Sequence, residues 1–384
     1  MSHDYDAEEL QQFKDDCPGY NPIMTTVPAE KGRRIIAIGD THGDWKITLD
    51  MLKLGKIISL NAQGKPYWDA KPKNTIVVQL GDQIDRCRPG KLKCSHKSAT
   101  HGDEASDMRI MHLFNELHAQ ALKHGGAVYS LFGNHELMNA NGDVRYASYA
   151  NLEWAHNKYG SAGEPVGTTA RIKAFAPGGE IAREMACTRT SMLIIGDALF
   201  VHAGAVPKLI DELPKIPDDP VAGLRWLNRA VRKWLLGEYR DKNMFSIMNS
   251  MDISPFWTRL QGYVPLYEDG DYYVDKDMDG NSKPSEAYKK CNSLVQETLH
   301  ALHMSKDSKL EDRLDVKQTG KIIIGHTPQV NGLSANTTCK DSLVRVDIGA
   351  SRAFIGIDGR PKNIERPIQV AEIIVGGGVT ILYK

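Results

Sequence analysis

Five polar blocks recur along this chain, each directly after a short apolar run. They are Gly39-Asp40-Thr41-His42-Gly43, Gly81-Asp82-Gln83-Ile84-Asp85-Arg86, Gly133-Asn134-His135-Glu136, His202-Ala203-Gly204 and Gly325-His326-Thr327. Runs such as Ile35-Ile36-Ala37-Ile38 and Ile76-Val77-Val78-Gln79-Leu80 are continuous and brief, as strands buried on both faces require. In open α/β sheets, residues at the carboxyl ends of neighbouring buried strands converge on one crevice. Blocks far apart in the chain are thereby able to share a site. The pattern predicts an α/β protein whose chemistry lies along one edge of its sheets.

The intervening sequence fits this scheme. Asp44 offers an N-cap for a helix through Leu54, ended by Gly55, and a second helix is expected near Ala105–His124 before Gly125-Gly126. Met192–Ile195 and Leu199–Val201 predict two strands joined at Gly196-Asp197. Residues 207–319 differ in character. Leu224, Leu227, Val231, Trp234 and Leu235 recur near helical spacing in Val221–Leu236, and Ser285–Met304 is a second helical stretch. Strands resume at Ile322–Ile324, Leu343–Val346, Val370–Val375 and Val379–Leu382. The blocks flank the helical segment. The expected organisation is a polar arm over residues 1–30, one core domain from 31–206 and 320–384, and a helical and loop cap inserted at 207–319.

Composition narrows the function classes. With 41% hydrophobic and 25% charged residues over 384 positions, the chain has the makeup of a soluble globular protein. Its 48 basic and 48 acidic residues cancel, which argues against a nucleic-acid partner held by phosphate neutralisation. No run has the length of a membrane span, and Met1 to Asp16 lacks the order of a secretory signal. Six scattered cysteines (Cys17, Cys87, Cys94, Cys187, Cys291 and Cys339) suit a reducing compartment, so a cytoplasmic protein without a disulfide scaffold is expected. Oligomeric state leaves no mark in the sequence.

The blocks supply carboxylate, amide and imidazole ligands for two cations. Asp40, His42 and Asp82 are assigned to one ion, and Asp82, Asn134, His202 and His326 to the other, with Asp82 bridging. Two cations about 3.5–4 Å apart clamp the attacking and leaving oxygens of an in-line displacement and lower the pKa of a shared water. No cysteine joins the set, so structural zinc is disfavoured, and manganese, iron and zinc remain open. Taken singly, each Gly-Asp pair is an ordinary turn and each histidine an ordinary residue; their ordered agreement carries the reading. His135 beside Asp85 suits an oriented proton donor. Arg86 suits bidentate contact with phosphate, its alternative being a surface salt bridge. Arg259 is a second candidate, with snorkelling over aromatic surface as its alternative.

These motifs resemble the metallophosphoesterases of the calcineurin-like superfamily, and within it the PPP-type phosphatases with their GDxHG, GDxxDRG, GNHE and HGG or HAG pattern. Gly133-Asn134-His135-Glu136-Leu137-Met138-Asn139 and Gly325-His326-Thr327-Pro328 resemble the Shewanella-like protein phosphatases most. The likeness runs from Gly39 to Pro328 and extends to the stretch from Val346 to Arg352. The resemblance implies a sandwich of two mixed sheets flanked by helices, and a di-metal centre. It implies phosphomonoester hydrolysis by direct attack of a hydroxide bridging the metals, with no phosphoenzyme. It carries over His135 as proton donor, Asp85 as its partner, and Arg86 with Asn134 as phosphate contacts. Phosphotyrosine or phosphoserine/threonine proteins and peptides are the implied substrates. The alternatives are a dinucleoside polyphosphate hydrolase and a catalytically silent metal-binding scaffold. Phe256, Trp257 and Tyr263 offer aromatic surface for a phenyl ring.

Two features stand outside this pattern. Cys87 replaces the glycine expected after Asp-Arg, and with Cys94 it forms either a redox-sensitive pair or, more simply, two free thiols on a loop. Asp275, Asp277, Asp279 and Glu286, with Gly280, match the spacing of a calcium loop. The alternative there is an acidic solvated loop before a helix N-terminus.

Overall fold

A computed structural model describes residues 4–266, 275–276, 282–283, 285–305, 320–329, 334–355 and 367–384. Two six-stranded mixed sheets form its centre. The first runs, in spatial order, Val379–Tyr383, Gln369–Ile374, Arg34–Ile38, Ile76–Gln79, Ala127–Leu131 and Arg189–Thr190. The second runs Thr26–Val27, Met192–Ile195, Ala198–Val201, Lys321–Ile324, Leu343–Arg345 and Asn336–Thr338. Strand alternation divides the apolar runs between two layers. Ile35, Ala37, Ile76 and Val78 face Leu193, Phe200, Ile323 and Val344 between the sheets. Ile36, Ile38, Val77 and Val128 point outward, against Met51, Ile110, Phe114 and Leu117 of the helices Trp45–Leu54 and Asp107–Leu122. The outer face of the second sheet packs on Leu209, Leu227, Val231, Leu235 and Val295. These come from the helices Pro207–Glu212 and Ala222–Leu236 and from the π-helical turn Asn292–Gln296. The central strands are therefore buried on both sides, which is why their sequences read as short apolar runs.

Arg34–Ile38 pairs in parallel with Ile76–Gln79, and Ile76–Gln79 with Ala127–Leu131. Ala198–Val201 and Lys321–Ile324 are likewise parallel. The five blocks consequently leave the same end of the sandwich. Residues on both sides of 207–319 build the second sheet. At the N-terminus, the helix Ala7–Asp16 begins with a capping box between Asp6 and Glu9 and seats Phe13 and Cys17 against Cys187. The six cysteines correct the expectation of free thiols: Cys17 pairs with Cys187, Cys87 with Cys94 and Cys291 with Cys339. Their sparse spacing thus carries no argument for a reducing compartment. No helix among the described residues is long and apolar enough to cross a membrane. Of the calcium-loop residues, Asp277 and Asp279 lie outside the described residues. The backbone of Asp275–Lys276 pairs with Ser282–Lys283, and Glu286 opens the next helix.

Candidate metal centre

The loops after the strands interlock through backbone bonds before any side chain reaches the site. Thr41 and His42 donate their backbone N–H groups to the Asp82 carbonyl at 3.1 and 2.9 Å, and Gly325 donates to the His202 carbonyl at 2.7 Å. The Glu136 carboxylate accepts backbone N–H bonds from Asp82, Gln83 and Gly133, at 3.0, 2.8 and 2.7 Å. A Cβ on Gly81 would stand 2.4 Å from the Gly133 nitrogen, so two glycines are what let these loops touch. His42, Asp82, Asp85 and His326 all have positive φ, a conformation sparsely populated by non-glycine residues and concentrated at functional sites.

Each imidazole is fixed by one nitrogen and presents the other inward. His42 Nδ1 meets the Ile84 carbonyl at 3.2 Å, leaving Nε2 at 3.9 Å from Asp40 and 3.7 Å from Asp82. His202 Nδ1 is held by the Leu80 carbonyl at 2.6 Å, with Nε2 at 3.0 Å from Asn134 Oδ1 and 3.5 Å from Asp82. His326 Nε2 contacts the Trp257 carbonyl at 3.2 Å, and its backbone N–H donates to Asp40. Two clusters share Asp82: one with His42 and His135, the other with His202 and His326. The structure thus brings together Asp40, His42, Asp82, Asn134, His202 and His326.

The chemistry of this donor set fits cations. Burial, together with the Asp347 and Asp82 carboxylates, pushes the Asp40 carboxyl well above its usual range. Burial would also raise Asp82, but His202, His135 and His42 outweigh it and hold its carboxyl well below. Burial, reinforced by Arg88 and His135, keeps the His42 ring well below its ordinary value; burial, His202 and Arg259 do the same to His326. Neutral imidazole is the ligand form. Asp347, which had been quoted only as part of a motif, is buried here. Its carboxyl is pushed up to about 6 by burial, and its Oδ2 has no hydrogen-bond partner. An orphaned buried carboxylate oxygen beside further carboxylates calls for a counter-cation.

The proton-handling residues form a second network. His135 Nδ1 lies 2.7 Å from Asp85 Oδ2, while its Nε2 is 3.9 Å from Asp82. Asp85 is held by two residues to which the sequence assigned no role. Asn139 donates to Oδ2 at 3.0 Å, and Arg171 donates to Oδ1 at 3.1 Å. Arg171 also bonds Asn139 at 2.7 Å and pairs with Asp107 at 2.8 Å. Asn139 had a visible signal in the Met-Asn after Gly-Asn-His-Glu. Arg171 had none, because its partners come together only in the folded chain.

Arg86 is engaged by the neighbouring loops. Its fully buried guanidinium donates to the Gly43 carbonyl at 3.2 Å and to Glu104 at 3.1 Å, with Asp44 at 3.5 Å. Its Nη groups are taken up by these partners outside the cluster of converging ligands, while its buried Nε has no hydrogen-bond partner. Arg88 is the arginine that arrives there, with Nη2 at 2.9 Å from His42 Nε2. Arg259 donates to the His326 carbonyl at 3.0 Å. Phe256 is fully buried in the helical layer and offers no ring to a ligand; Tyr263 is 65% exposed. Trp257 packs edge-on to His326, and Tyr146 edge-on to His135, with centroids 6.1 and 4.9 Å apart. A cavity of about 320 Å³ beside Tyr146 and Trp257 is lined also by Leu137, Met138 and Met248 and by the polar Asn141, Asp143, Arg145 and Asn249.

Comparison with known proteins agrees with this site. The calcineurin-like phosphoesterase family model matches residues 33–330, and the chain belongs to that family. An uncharacterised protein of Acanthamoeba polyphaga mimivirus is 35% identical over 274 residues, covering 68% of this chain and 94% of that protein. Shewanella-like protein phosphatase 2 of Arabidopsis thaliana is 27% identical over 383 residues, covering 90% and 78%. Among solved structures, the cold-active protein-tyrosine phosphatase of a psychrophilic Shewanella species shares the fold. Its TM-score is 0.56 at 18% identity, with 94% of this chain and 82% of that one covered.

Proposed function

We propose that this protein is a metal-dependent phosphomonoester hydrolase acting on phosphorylated proteins or peptides. The observation that carries the reading is the His135–Asp85 pair set against the shared ligand Asp82. Asp40, His42 and Asp82 would hold one cation, and Asp82, Asn134, His202 and His326 the other. Bound there, the ions supply positive charge for phosphoryl oxygens and a water of lowered pKa, and manganese, iron and zinc all suit the donors. Asp85 holds the His135 ring by Nδ1, so Nε2 is placed to deliver a proton to the departing oxygen. Arg171 and Asn139 keep Asp85 oriented for that role.

Protein substrates are supported by the similarity to Shewanella-like protein phosphatases and by the cavity beside Tyr146 and Trp257, whose rings suit a phenyl leaving group. Comparison of kcat/KM for a phosphotyrosine peptide, a phosphothreonine peptide and diadenosine tetraphosphate tests this. The phosphotyrosine peptide is expected to lead. A tenfold advantage for the dinucleotide would refute the protein-phosphatase assignment.

A further inference from the structure

We propose that the disulfide-braced loop after Asp85 is a basic recognition surface for acidic residues that flank the phosphorylated side chain of a polypeptide substrate; this rests on the phosphoprotein reading above. The chain as a whole is neutral, with 48 basic and 48 acidic residues. Residues 86–102 break that balance, with five cations (Arg86, Arg88, Lys91, Lys93 and Lys97) and no acidic residue. Arg86 is matched by Asp44 and Glu104. Lys91, Lys93 and Lys97 are exposed, and among the described residues none of the three pairs with a carboxylate. The two acids that follow the loop are turned elsewhere. Asp103 accepts from the Ala150 N–H at 2.8 Å, and Glu104 accepts from Arg86 and Arg352. Unmatched like charges gathered on one short segment repel one another, and an anionic partner relieves that repulsion.

The loop is held beside the centre. It leaves directly from Asp85, the partner of His135. The Cys87–Cys94 bond brings the two Cα atoms to 5.8 Å. The Cα of Lys93, one peptide further, therefore lies within about 10 Å of that of Cys87. The Cys87 N–H donates to the Tyr146 carbonyl at 3.0 Å, and the Tyr146 ring packs on His135. On the far limb, Lys97 Nζ sits 5.1 Å from the ring centroid of Tyr149, three residues beyond Tyr146. Both limbs are thus tied to the segment that flanks the proton donor. A cavity of about 540 Å³ takes in residues of both limbs, among them Gly90, Thr100 and His101. An extended peptide advances about 3.4 Å per residue, so carboxylates within about three positions of a side chain held at His135 come within reach of the loop. A membrane would find a single exposed large apolar side chain here, Leu92, and a nucleic acid would find no Phe, Tyr or Trp on which to stack. The continuity with the His135–Asp85 pair favours the polypeptide that carries the phosphate.

The test compares metal-loaded wild type with the Lys91→Gln/Lys93→Gln/Lys97→Gln protein. Substrates are phosphotyrosine peptides flanked by aspartate or by asparagine. A labelled oligoglutamate peptide without phosphate reads binding apart from turnover, by fluorescence anisotropy. Wild type is expected to prefer the acidic peptide at least about fivefold in kcat/KM at about 50 mM salt, and to lose most of that preference at about 0.5 M. The triple variant should use the two peptides within about twofold of each other, bind oligoglutamate less tightly, and keep wild-type kcat and KM on p-nitrophenyl phosphate, which has no flanking groups. Lys93→Glu should shift the preference toward a lysine-flanked peptide. Equal use of the acidic and neutral peptides by wild type overturns the proposal, as does the same preference in the triple variant. So does lysine-dependent binding to phosphatidylserine vesicles or to a single-stranded oligonucleotide with no peptide preference, which gives the loop to another partner. Lysine-dependent oligoglutamate binding by a protein that hydrolyses neither phosphopeptide supports the acidic-partner surface and refutes the phosphoprotein reading instead.

Discussion

At the residue scale, the centre is made of side chains whose second contact decides what the first can do. His135 is useful because Asp85 holds Nδ1, and Asp85 is useful because Asn139 and Arg171 hold both its oxygens. His135→Asn removes a proton donor and no assigned metal ligand. Metal content should persist while turnover falls by about 10²–10⁴-fold on an alkyl phosphate and by much less on an activated aryl phosphate. Equal losses on the two substrates would give His135 another role. The six converging candidate ligands were legible because each adjoins an apolar run within a distinctive block. Arg86 and Arg88 show where such legibility ends. Two residues apart, they are chemically alike in sequence, and only the distant Asp44, Glu104 and Phe354 give them different surroundings. Asp347 was hidden for the same reason: its significance lies in being buried beside Asp40 and Asp82.

At the scale of elements, long periodic segments read well. The helix expected from Asp44 to Leu54 has Asp44 accepting from the Ile47 N–H and Gly55 at its end. The Val221–Leu236 pattern forms the helix Ala222–Leu236, closed by Gly237 in the left-handed region. Short elements escaped. The hairpin of Ile58–Leu60 with Pro66–Trp68 is three residues a side, too brief for alternation to register. The helix Ala7–Asp16, capped by Asp6 and Glu9, lay within what read only as a polar arm, because its composition hid the single buried Phe13. The Cys87–Cys94 loop carries its own prediction. Replacing both cysteines by serine frees the loop that follows Asp85 and Arg86, so KM for a phosphomonoester should rise by up to about tenfold through lost pre-organisation, with kcat within about twofold. A collapse of kcat at constant KM would mean that the loop supports the proton donor instead.

Across the whole molecule, sheet order explains how a chain with its ligands dispersed acts as one site. Each sheet draws strands from both ends of the sequence: Gln369–Ile374 pairs with Arg34–Ile38, and Lys321–Ile324 with Ala198–Val201. The blocks foretold convergence, and family resemblance supplied the two-sheet arrangement that periodicity alone does not distinguish from a single open sheet. Two of the three disulfides were not foretold, and Cys87–Cys94 only as one of two alternatives. Cys17 and Cys187 are 170 positions apart, and Cys291 and Cys339 are 48 apart, separations from which no pairing follows. The central claim is that the converging ligands hold two catalytic cations with Asp82 between them. Its most direct test is elemental analysis of purified wild type and Asp82→Asn, paired with turnover before and after chelation. We predict two ions per chain in wild type, loss of turnover on chelation with recovery on metal return, and an Asp82→Asn protein with fewer ions and turnover lower by on the order of a hundredfold or more. Near-full turnover in metal-depleted Asp82→Asn would contradict it.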